Sequence, residues 1–167
     1  MSLPSYTCGP QSKPLLPMTI GAAFDRTVER FPQREALVVR HQQLRYTWAE
    51  LAEAVDRCAR GLLALGLQAG ERVGIWSPNN AQWCITQFAT AKIGVVLVNI
   101  NPAYRTHELE YALNKVGCRA LVIVPTRELC LQVTQDLKIA ATGLTAPTDS
   151  GTRPLKVLAI YGGTPYE

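Results

Sequence analysis

The alternation of helical and extended hydrophobic patterns is the feature that most restricts how this chain can fold. From Thr19 onward, apolar residues at helical spacing alternate almost without a break with short apolar runs of strand length. Strands separated by helices are typical of βαβ units, in which the strands lie parallel in one sheet and the helices pack against it. The sequence therefore predicts an α/β protein with a largely parallel sheet and flanking helices.

Capping and stop residues mark the ends of the predicted helices. The predicted helices span 19–31, 47–65, about 80–93, about 106–116 and 127–141. Thr47 and Glu50 form a capping box, in which each side chain binds a backbone N–H at the helix start. Ser77 and Thr106 are the predicted caps of the third and fourth helices, and Gly117 ends the fourth.

Short extended runs lie between these helices. The predicted strands span 36–39, 44–46, 72–76, 95–98, 120–124 and 156–161. Polar residues around His41 separate the first two strands, which predicts a β-hairpin. The four consecutive apolar residues at 95–98 predict a strand covered on both faces. The segment 142–154 is rich in Thr, Gly and Pro and has little to bury, which predicts a loop.

Composition limits the class of protein. With 167 residues, of which 47% are hydrophobic and 18% charged, the chain is typical of a globular protein, and no apolar run approaches the roughly 20 residues of a membrane span. The net charge of +4 comes from basic residues spread singly along the chain, which gives no basis for predicting DNA binding. Five cysteines without a C-x-x-C pair predict reduced thiols, no metal site and a cytoplasmic protein.

No self-contained catalytic, nucleotide-binding or metal-binding site is predicted. Neither G-x-x-x-x-G-K-[ST] nor G-x-G-x-x-G occurs in the chain. Gly66 and Gly70 follow a helix, which predicts a helix cap and a turn and no phosphate loop. His41 lies in the hairpin turn and His107 in the first turn of a helix, so both are predicted to be exposed polar residues without a nucleophile beside them.

Motifs in a fixed order cover roughly residues 15–122. They are Leu44-Arg-Tyr-Thr-Trp-Ala-Glu-Leu51, Gly74-Ile-Trp-Ser-Pro-Asn79, Trp83 and Ala91-Lys-Ile-Gly-Val-Val-Leu-Val-Asn-Ile-Asn-Pro-Ala-Tyr104. This order resembles the N-terminal part of fatty-acyl-CoA synthetases in the adenylate-forming, AMP-binding superfamily. The resemblance implies enzymes that use ATP, Mg and coenzyme A to convert a carboxylic acid to an acyl adenylate and then to a thioester.

The same resemblance also implies what this chain lacks. The phosphate loop, the acid-rich nucleotide motifs and the catalytic lysine of those enzymes lie downstream of the matched stretch, and none of them occurs here. We therefore expect no cofactor to bind this chain and no ligase activity from it alone.

A second set of motifs follows the predicted strand at 120–124. The sequence Pro125-Thr126-Arg127-Glu128-Leu129 resembles motif Ia of DEAD-box RNA helicases, and Gly162-Gly163 resembles the glycine pair after the next strand of that domain. The resemblance implies a weak contact with the RNA backbone through these residues. The ATP-binding loop and D-E-A-D box are absent, so no ATPase activity is expected. From the residues alone, Thr126 and Arg127 fit either an anion site or an ordinary strand-loop-helix turn.

These patterns predict incomplete pieces of two α/β domains. We divide the chain into a Pro-rich leader over 1–17, a synthetase-like substructure over 18–118 and a RecA-like helicase fragment over 119–167. The leading functional interpretation is a fragment of a CoA ligase. The alternatives are a non-catalytic RNA-binding fragment and a chimeric chain with no selected function. The sequence determines neither the oligomeric state nor the acyl-chain length of the parent ligase.

Overall fold

A parallel sheet with helices on both faces forms the body of the molecule. The computed structural model describes residues 9, 12 and 15–124 in full, together with the backbone of three short strands beyond them. The helices are α1 Ile20–Arg30, α2 Trp48–Ala64, α3 Ala81–Lys92 and α4 Thr106–Val116. The strands are β1 Glu35–Val39, β2 Leu44–Thr47, β3 Arg72–Trp76, β4 Val96–Ile100, β5 Cys118–Ile123, β6 Thr145–Thr148, β7 Gly151–Pro154 and β8 Lys156–Ala159.

Four of these strands form the main sheet. Their order is β4-β3-β5-β8, and every neighbouring pair is parallel. The chain leaves β3 through α3 to reach β4, and then returns through α4 to β5 on the other side of β3. The predicted fold class, an α/β protein with a largely parallel sheet and flanking helices, is confirmed.

The two faces of the sheet have separate cores. Side chains alternate along a strand, so Val73 and Ile75 of β3 point to one face and Gly74 to the other. On the first face, α1, α2 and α3 pack through Phe24, Leu51, Val55, Leu62 and Ala89 against Val73, Ile75 and Val122. On the second face, α4 packs through Leu109 and Leu113 against Ile100, Leu121 and Ile123. The described part of the sheet is therefore covered on both sides.

Gly74 sets how closely α4 approaches the sheet. A Cβ at this position would lie 3.0 Å from Leu121 Cδ1 and 3.2 Å from Leu113 Cδ2. The side chain of Leu113 therefore occupies the space that any larger residue would take. The glycine in the middle of this strand serves close packing and does not mark a turn.

The hairpin β1–β2 and the start of α2 agree with the sequence prediction. The two strands pair antiparallel, and a 3₁₀ turn over Arg40–Gln42 joins them. Thr47 N donates to Glu50 Oε2 at 2.8 Å, and Glu50 N donates to Thr47 Oγ1 at 3.3 Å, which is the predicted capping box. The backbone hydrogen bond from Thr47 is the main cause of a lowered pKa of Glu50.

Two of the predicted helix caps are wrong. Asn80 and not Ser77 caps α3, because Asn80 Oδ1 accepts from Trp83 N at 2.9 Å while the Ser77 hydroxyl donates to Pro78 O. Arg105 and not Thr106 is the N-cap residue of α4, and its backbone N–H donates to Glu108 Oε2 at 3.1 Å. In both cases several polar residues precede the helix, and local sequence does not identify which one has extended backbone angles. Gly117 does end α4, in a left-handed conformation.

Of two further predictions for extended segments, one is largely confirmed and one is wrong. The strand at 95–98 packs on both faces of the sheet, with Leu97 against the first core and Val98 against the second, although β4 is an outer strand of the described sheet and Val96 is 49% exposed. The segment 142–154 is not all loop, since β6 and β7 pair as an antiparallel hairpin. In a two-stranded sheet both strands are edges, so proline at Pro147 and Pro154 is compatible with strand structure there.

The strand β5 crosses the predicted boundary between 118 and 119. It pairs with β3 on one side and with β8 on the other, so one sheet contains strands from both predicted parts of the chain. The strand predicted at 156–161 is present as β8 over Lys156–Ala159. The helix predicted over 127–141 lies outside the described residues. Within the described part of the chain, no helix is long and apolar enough to cross a membrane.

The contact between Gly74 and α4 makes a stability prediction. We expect Gly74→Ala to lower the free energy of unfolding by about 1–3 kcal/mol, because the new methyl group displaces Leu113 and Leu121. The measurement is urea unfolding followed by tryptophan fluorescence. Gly61→Ala is the matched control: Gly61 lies within α2, nothing is within 4 Å of its added Cβ, and helix propensity favours alanine by up to about 1 kcal/mol. Equal stability of the two variants would contradict the packing role of Gly74.

Candidate functional site

The carboxyl end of the sheet between β3 and β5 is the candidate functional site. The chain leaves β3 towards one side of the sheet and comes back to β5 on the other, so the connections diverge at this point. In open parallel sheets, small molecules bind in the crevice at the carboxyl ends of the strands where connections diverge. The residues directly after β3 and β4 lie there, together with Val124 after β5.

Hydrogen bonds connect these segments to one another. Trp76 Nε1, at the end of β3, donates to Asn101 O after β4 at 3.1 Å. Asn101 Oδ1 accepts from Ala103 N at 3.0 Å, which closes the turn after β4. Val124 N, after β5, donates to Trp76 O at 3.4 Å. Trp76 therefore connects three neighbouring strand ends, and this part of the carboxyl edge is held by the chain's own groups.

Ser77 and Asn80 are the buried polar side chains of this edge. They are 6% and 8% exposed. Asn80 Nδ2 donates to Ser77 Oγ at 2.9 Å, and Ser77 Oγ donates to Pro78 O at 2.8 Å. The serine hydroxyl proton is thus bound to a backbone carbonyl, and no base among residues 15–124 contacts it. This geometry gives Ser77 a structural role, because an activated serine needs a general base within hydrogen-bond distance.

The N-terminus of α3, beside this edge, is capped by the hairpin. Gln42 Oε1 accepts from Ala81 N at 2.8 Å, and Gln42 Nε2 donates to Gln82 Oε1 at 2.9 Å. A helix N-terminus binds phosphate through its free N–H groups. Here the N–H groups of Ala81 and Trp83 already donate to side chains of the protein. Gln42 and Asn80 therefore occupy positions that an anionic ligand would need.

The sequence did not predict the role of Gln42. It lies in a polar turn, where a glutamine is normally exposed, and its partners are 39 and 40 residues away. No local spacing connects the two segments, so only the tertiary structure reveals the contact.

Lys92 joins the three helices of one layer. Its Nζ lies 2.8 Å from Asp25 Oδ1 of α1 and 2.6 Å from Asp56 Oδ1 of α2. Desolvation lowers the pKa of Lys92, but the hydrogen bonds and charges of Asp25 and Asp56 outweigh it, so the pKa is raised above the ordinary 10.5. A lysine with a raised pKa stays protonated at neutral pH and is not a nucleophile. This cluster is a structural cross-link between helices.

The described cysteines are free thiols with raised pKa values. Burial raises the pKa of Cys58 and Cys84. Burial also raises the pKa of Cys118 to about 11, against the opposing effects of the Arg72 charge and a hydrogen bond from the Gly74 backbone. Since the thiolate is the nucleophilic form, burial makes these three cysteines weaker nucleophiles than an exposed cysteine. Among the described residues, no group of His, Cys, Asp or Glu side chains could hold a metal ion.

The site residues predicted from the helicase resemblance cannot be compared with the structure. Pro125, Thr126, Arg127, Glu128, Gly162 and Gly163 lie outside the described residues. His41 and His107 are both exposed, as the sequence predicted.

The fold and the carboxyl edge of its sheet define a segment of an α/β enzyme domain. Residues 24–162 match the sequence model of the family "AMP-binding enzyme". This range is more than half of the chain, and the chain therefore belongs to the AMP-binding enzyme family. The matched range includes the segment with the helicase-like motif, and the resemblance to helicases stays a prediction.

Curated relatives are acyl-CoA ligases of much greater length. The chain is 49% identical over 118 residues to the medium-chain acyl-CoA ligase ACSF2, mitochondrial, of Rattus norvegicus, and 51% identical over 118 residues to that of Homo sapiens. Each alignment covers 71% of this chain and 19% of the relative. The chain thus spans about a fifth of the length of these relatives.

Solved structures show the same fold. The N-terminal domain of FACL13 from Mycobacterium tuberculosis superposes with a TM-score of 0.68 at 24% identity, covering 85% of this chain and 34% of that chain. The N-terminal subdomain of Klebsiella oxytoca NpsA, solved in complex with anthranilyl-AMSN, gives a TM-score of 0.59 at 30% identity and covers 63% of this chain and 27% of that one. The parallel sheet and its helices match the N-terminal domain of acyl-CoA ligases.

The ion cluster at Lys92 makes a pH-dependent prediction. We expect Lys92→Met to lower the free energy of unfolding by roughly 1–2 kcal/mol at pH 7, because two partly exposed carboxylates lose their shared cation. A folded-state pKa above that of the unfolded chain means that this stabilisation is present below pH 10.5 and is lost as the pH rises through the folded-state value. The measurement is urea unfolding at pH 7 and again above pH 11.

Arg60→Met is the control for that experiment, because Arg60 is an exposed cation of α2 that forms no ion pair with a described residue. The difference between the two variants should shrink at high pH. A difference that is equally large at both pH values would contradict the electrostatic explanation.

Proposed function

We propose that this chain is the N-terminal segment of a carboxylic-acid CoA ligase and that it supplies scaffold and no catalytic residue. The observation that carries the proposal is about 50% identity to acyl-CoA ligases over 118 residues, on a chain whose sheet has the fold of their N-terminal domain. The parent reaction is ATP-dependent formation of an acyl adenylate, followed by transfer of the acyl group to coenzyme A. The relatives are named as medium-chain acyl-CoA ligases, which favours a medium-chain carboxylic acid as the substrate of the parent enzyme.

The contacts at the carboxyl edge of the sheet support a scaffold role. Asn80 Nδ2 donates to Ser77 Oγ, and Ser77 Oγ donates to Pro78 O. Gln42 Oε1 accepts from Ala81 N, and Trp76 Nε1 donates to Asn101 O in the adjacent turn. Polar groups that are already satisfied stabilise a fold but have little capacity to bind substrate. In this proposal, the described residues hold the strands in register, and the reacting groups come from elsewhere in the parent enzyme.

The described residues also offer no place for the family's cofactors. ATP, Mg and coenzyme A serve the full-length ligases, and Mg binds through carboxylates together with substrate phosphates. Among the described residues there is no cluster of acidic side chains for a metal, and the first N–H groups of α3 are occupied by Gln42 and Asn80. We therefore propose that this chain alone binds none of the three with useful affinity.

ATP–pyrophosphate exchange tests the proposed inactivity. We expect the chain alone, given ATP, Mg and octanoate, to give no exchange above a control without protein, because it supplies no group that acts on the phosphates. Full-length human medium-chain acyl-CoA ligase is the positive control. Exchange by the chain alone, abolished by heat and absent from buffer blanks, would show that it carries an active site.

Fragment complementation tests the scaffold role separately. The human relative is prepared without the segment aligned to this chain, and we expect this remainder to be inactive until the chain is added. Recovery of octanoyl-CoA synthesis supports the proposal. The Gly74→Ala variant is the matched control, since its altered packing of α4 should reduce recovery without touching any reacting group. Failure of the folded chain to restore any activity would count against the role.

RNA-backbone binding is the second candidate function, and the motif over 125–129 together with Gly162-Gly163 is the observation that favours it. We expect weak binding to single-stranded RNA at low salt, and a further loss with Arg127→Ala, because arginine donates several hydrogen bonds to phosphate. Arg153→Ala removes the same charge outside the motif and is the control. Equal effects of the two substitutions would exclude a specific role for the motif.

Failure of both complementation and RNA binding would leave the third interpretation, a chimeric chain with no selected function.

For location, we propose the cytoplasm from the free thiols, whereas the rat and human relatives are named as mitochondrial enzymes. Fluorescence microscopy of the tagged chain separates the two.

A further inference from the structure

An open groove of about 480 Å³ lies between β4 and the outer flank of α4. Its lining includes the apolar groups Val98, Tyr104, Tyr111 and Val116, with Glu108 and Lys115 among them. Tyr111 is 62% exposed and Val96 of the adjacent strand is 49% exposed. Large apolar side chains grouped beside a groove mark a surface that binds another protein.

The strand beside this groove is an unpaired edge in the described sheet. β4 pairs with β3 through all five of its residues and has no described strand on its other side. An edge strand presents N–H and C=O groups in a row and readily pairs with a strand from another chain. The groove and the strand edge are adjacent, so one partner could cover both.

The charges along α4 specify the direction in which a partner helix would lie. Glu108 and Lys115 are seven residues apart, so they lie on one face of α4, two turns and about 10.5 Å apart along the helix axis. This separation is too large for an ion pair within the helix, and neither residue forms an ion pair with another described residue. Lys115 Nζ donates to the Tyr111 hydroxyl at 2.8 Å, and Glu108 Oε2 accepts from Arg105 N, so each side chain has a local partner but its charge is not neutralised. Ala112 lies between them and is small enough to let a second helix approach closely.

We propose that this surface binds a second copy of the chain, with the two α4 helices antiparallel about a two-fold axis near Ala112. In that arrangement Glu108 of each copy faces Lys115 of the other, so the symmetry forms two ion pairs from one pair of residues. The two β4 edges then lie at the same interface, and Tyr104 and Tyr111 lose exposed apolar surface. This surface is self-complementary in charge. The inference does not depend on the proposed function.

Sedimentation velocity over a range of micromolar concentrations tests this arrangement. We expect a reversible monomer–dimer equilibrium. Lys115→Glu should weaken the dimer at least about tenfold, because the reversed charge meets Glu108 of the other copy twice in each dimer. Glu108→Lys should weaken it similarly. The double variant Glu108→Lys, Lys115→Glu should return the dissociation constant to within about threefold of the original, because both pairs are restored with their charges exchanged.

The controls separate charge pairing from general effects. Arg60→Glu makes the same change of charge on an exposed position of α2, which packs on the opposite face of the sheet, and should leave the dimer unchanged. Glu108→Lys also removes a hydrogen bond to Arg105 N, so circular dichroism is recorded for each variant. Tyr111→Ser is a second variant that keeps both charges but removes the hydrogen bond from Lys115 Nζ to the Tyr111 hydroxyl, so Tyr104→Ser, which keeps that hydrogen bond, is measured beside it. Both tyrosine variants should weaken the dimer.

Three results would overturn the proposal. The chain could stay monomeric at every concentration, which would leave the groove to another occupant such as the rest of a ligase domain. A dimer could persist unchanged in both Lys115→Glu and Tyr111→Ser, which would place the interface elsewhere. Finally, the double variant could stay as weak as the single variants, which would exclude the pairing of Glu108 with Lys115.

Discussion

The packing of both faces of β3 is the constraint on which the rest of the structure depends. Val73 and Ile75 are almost fully buried under α1, α2 and α3, while Gly74 between them lets Leu113 of α4 lie directly on the sheet. β3 also pairs with β4 and β5, so it has a strand at each edge and a helix layer on each face. The alternation of Val73, Gly74 and Ile75 determines which helices pack on which face. A shift of β3 by one residue would put two large side chains under α4 and a glycine under the other layer, so its register is strongly specified.

Polar contacts then determine how the helices and the hairpin are placed around this strand. Apolar packing of α1, α2 and α3 is compatible with several relative positions, because hydrophobic contacts are not directional. Lys92 requires one arrangement, in which Asp25 and Asp56 both reach its ammonium group. Gln42 similarly requires the hairpin turn to lie against the first residues of α3. The burial of apolar surface supplies most of the stability, and these few contacts select among arrangements.

Local sequence predicts much of this architecture, but only its helices, strands and some of its caps. Helix and strand periodicity predicts the α/β class, four described helices and the main strands, because each depends on neighbouring residues. The capping box at Thr47 was predictable for the same reason. The cap of α3 was not, since Ser77 and Asn80 are equally suitable by type and only the hydrogen bond from Trp83 N to Asn80 Oδ1 identifies the cap. The exposure of Val96 was not predicted, because four consecutive apolar residues occur both in central strands and in outer strands.

The candidate site was the least predictable part, and the reason is physical. Its described groups, Trp76, Gln42 and Asn101, come from segments far apart in the chain, and their side chains mostly bind backbone atoms, which no residue pattern records. The motif residues that the sequence did single out, such as Arg127 and Gly162, lie outside the described part.

The described polar side chains at the carboxyl edge of the sheet already have hydrogen-bond partners, which affects what they could do in catalysis. Catalysis needs polar groups that are held in place and are still free to bind the transition state. The side chains of Ser77, Asn80 and Gln42 are held in place by hydrogen bonds to other groups of this chain. The described part of this edge is therefore held together by hydrogen bonds between its own segments. The outer edge of β4 and the adjacent flank of α4 differ from it, because apolar side chains there are exposed and β4 has no described strand on that side.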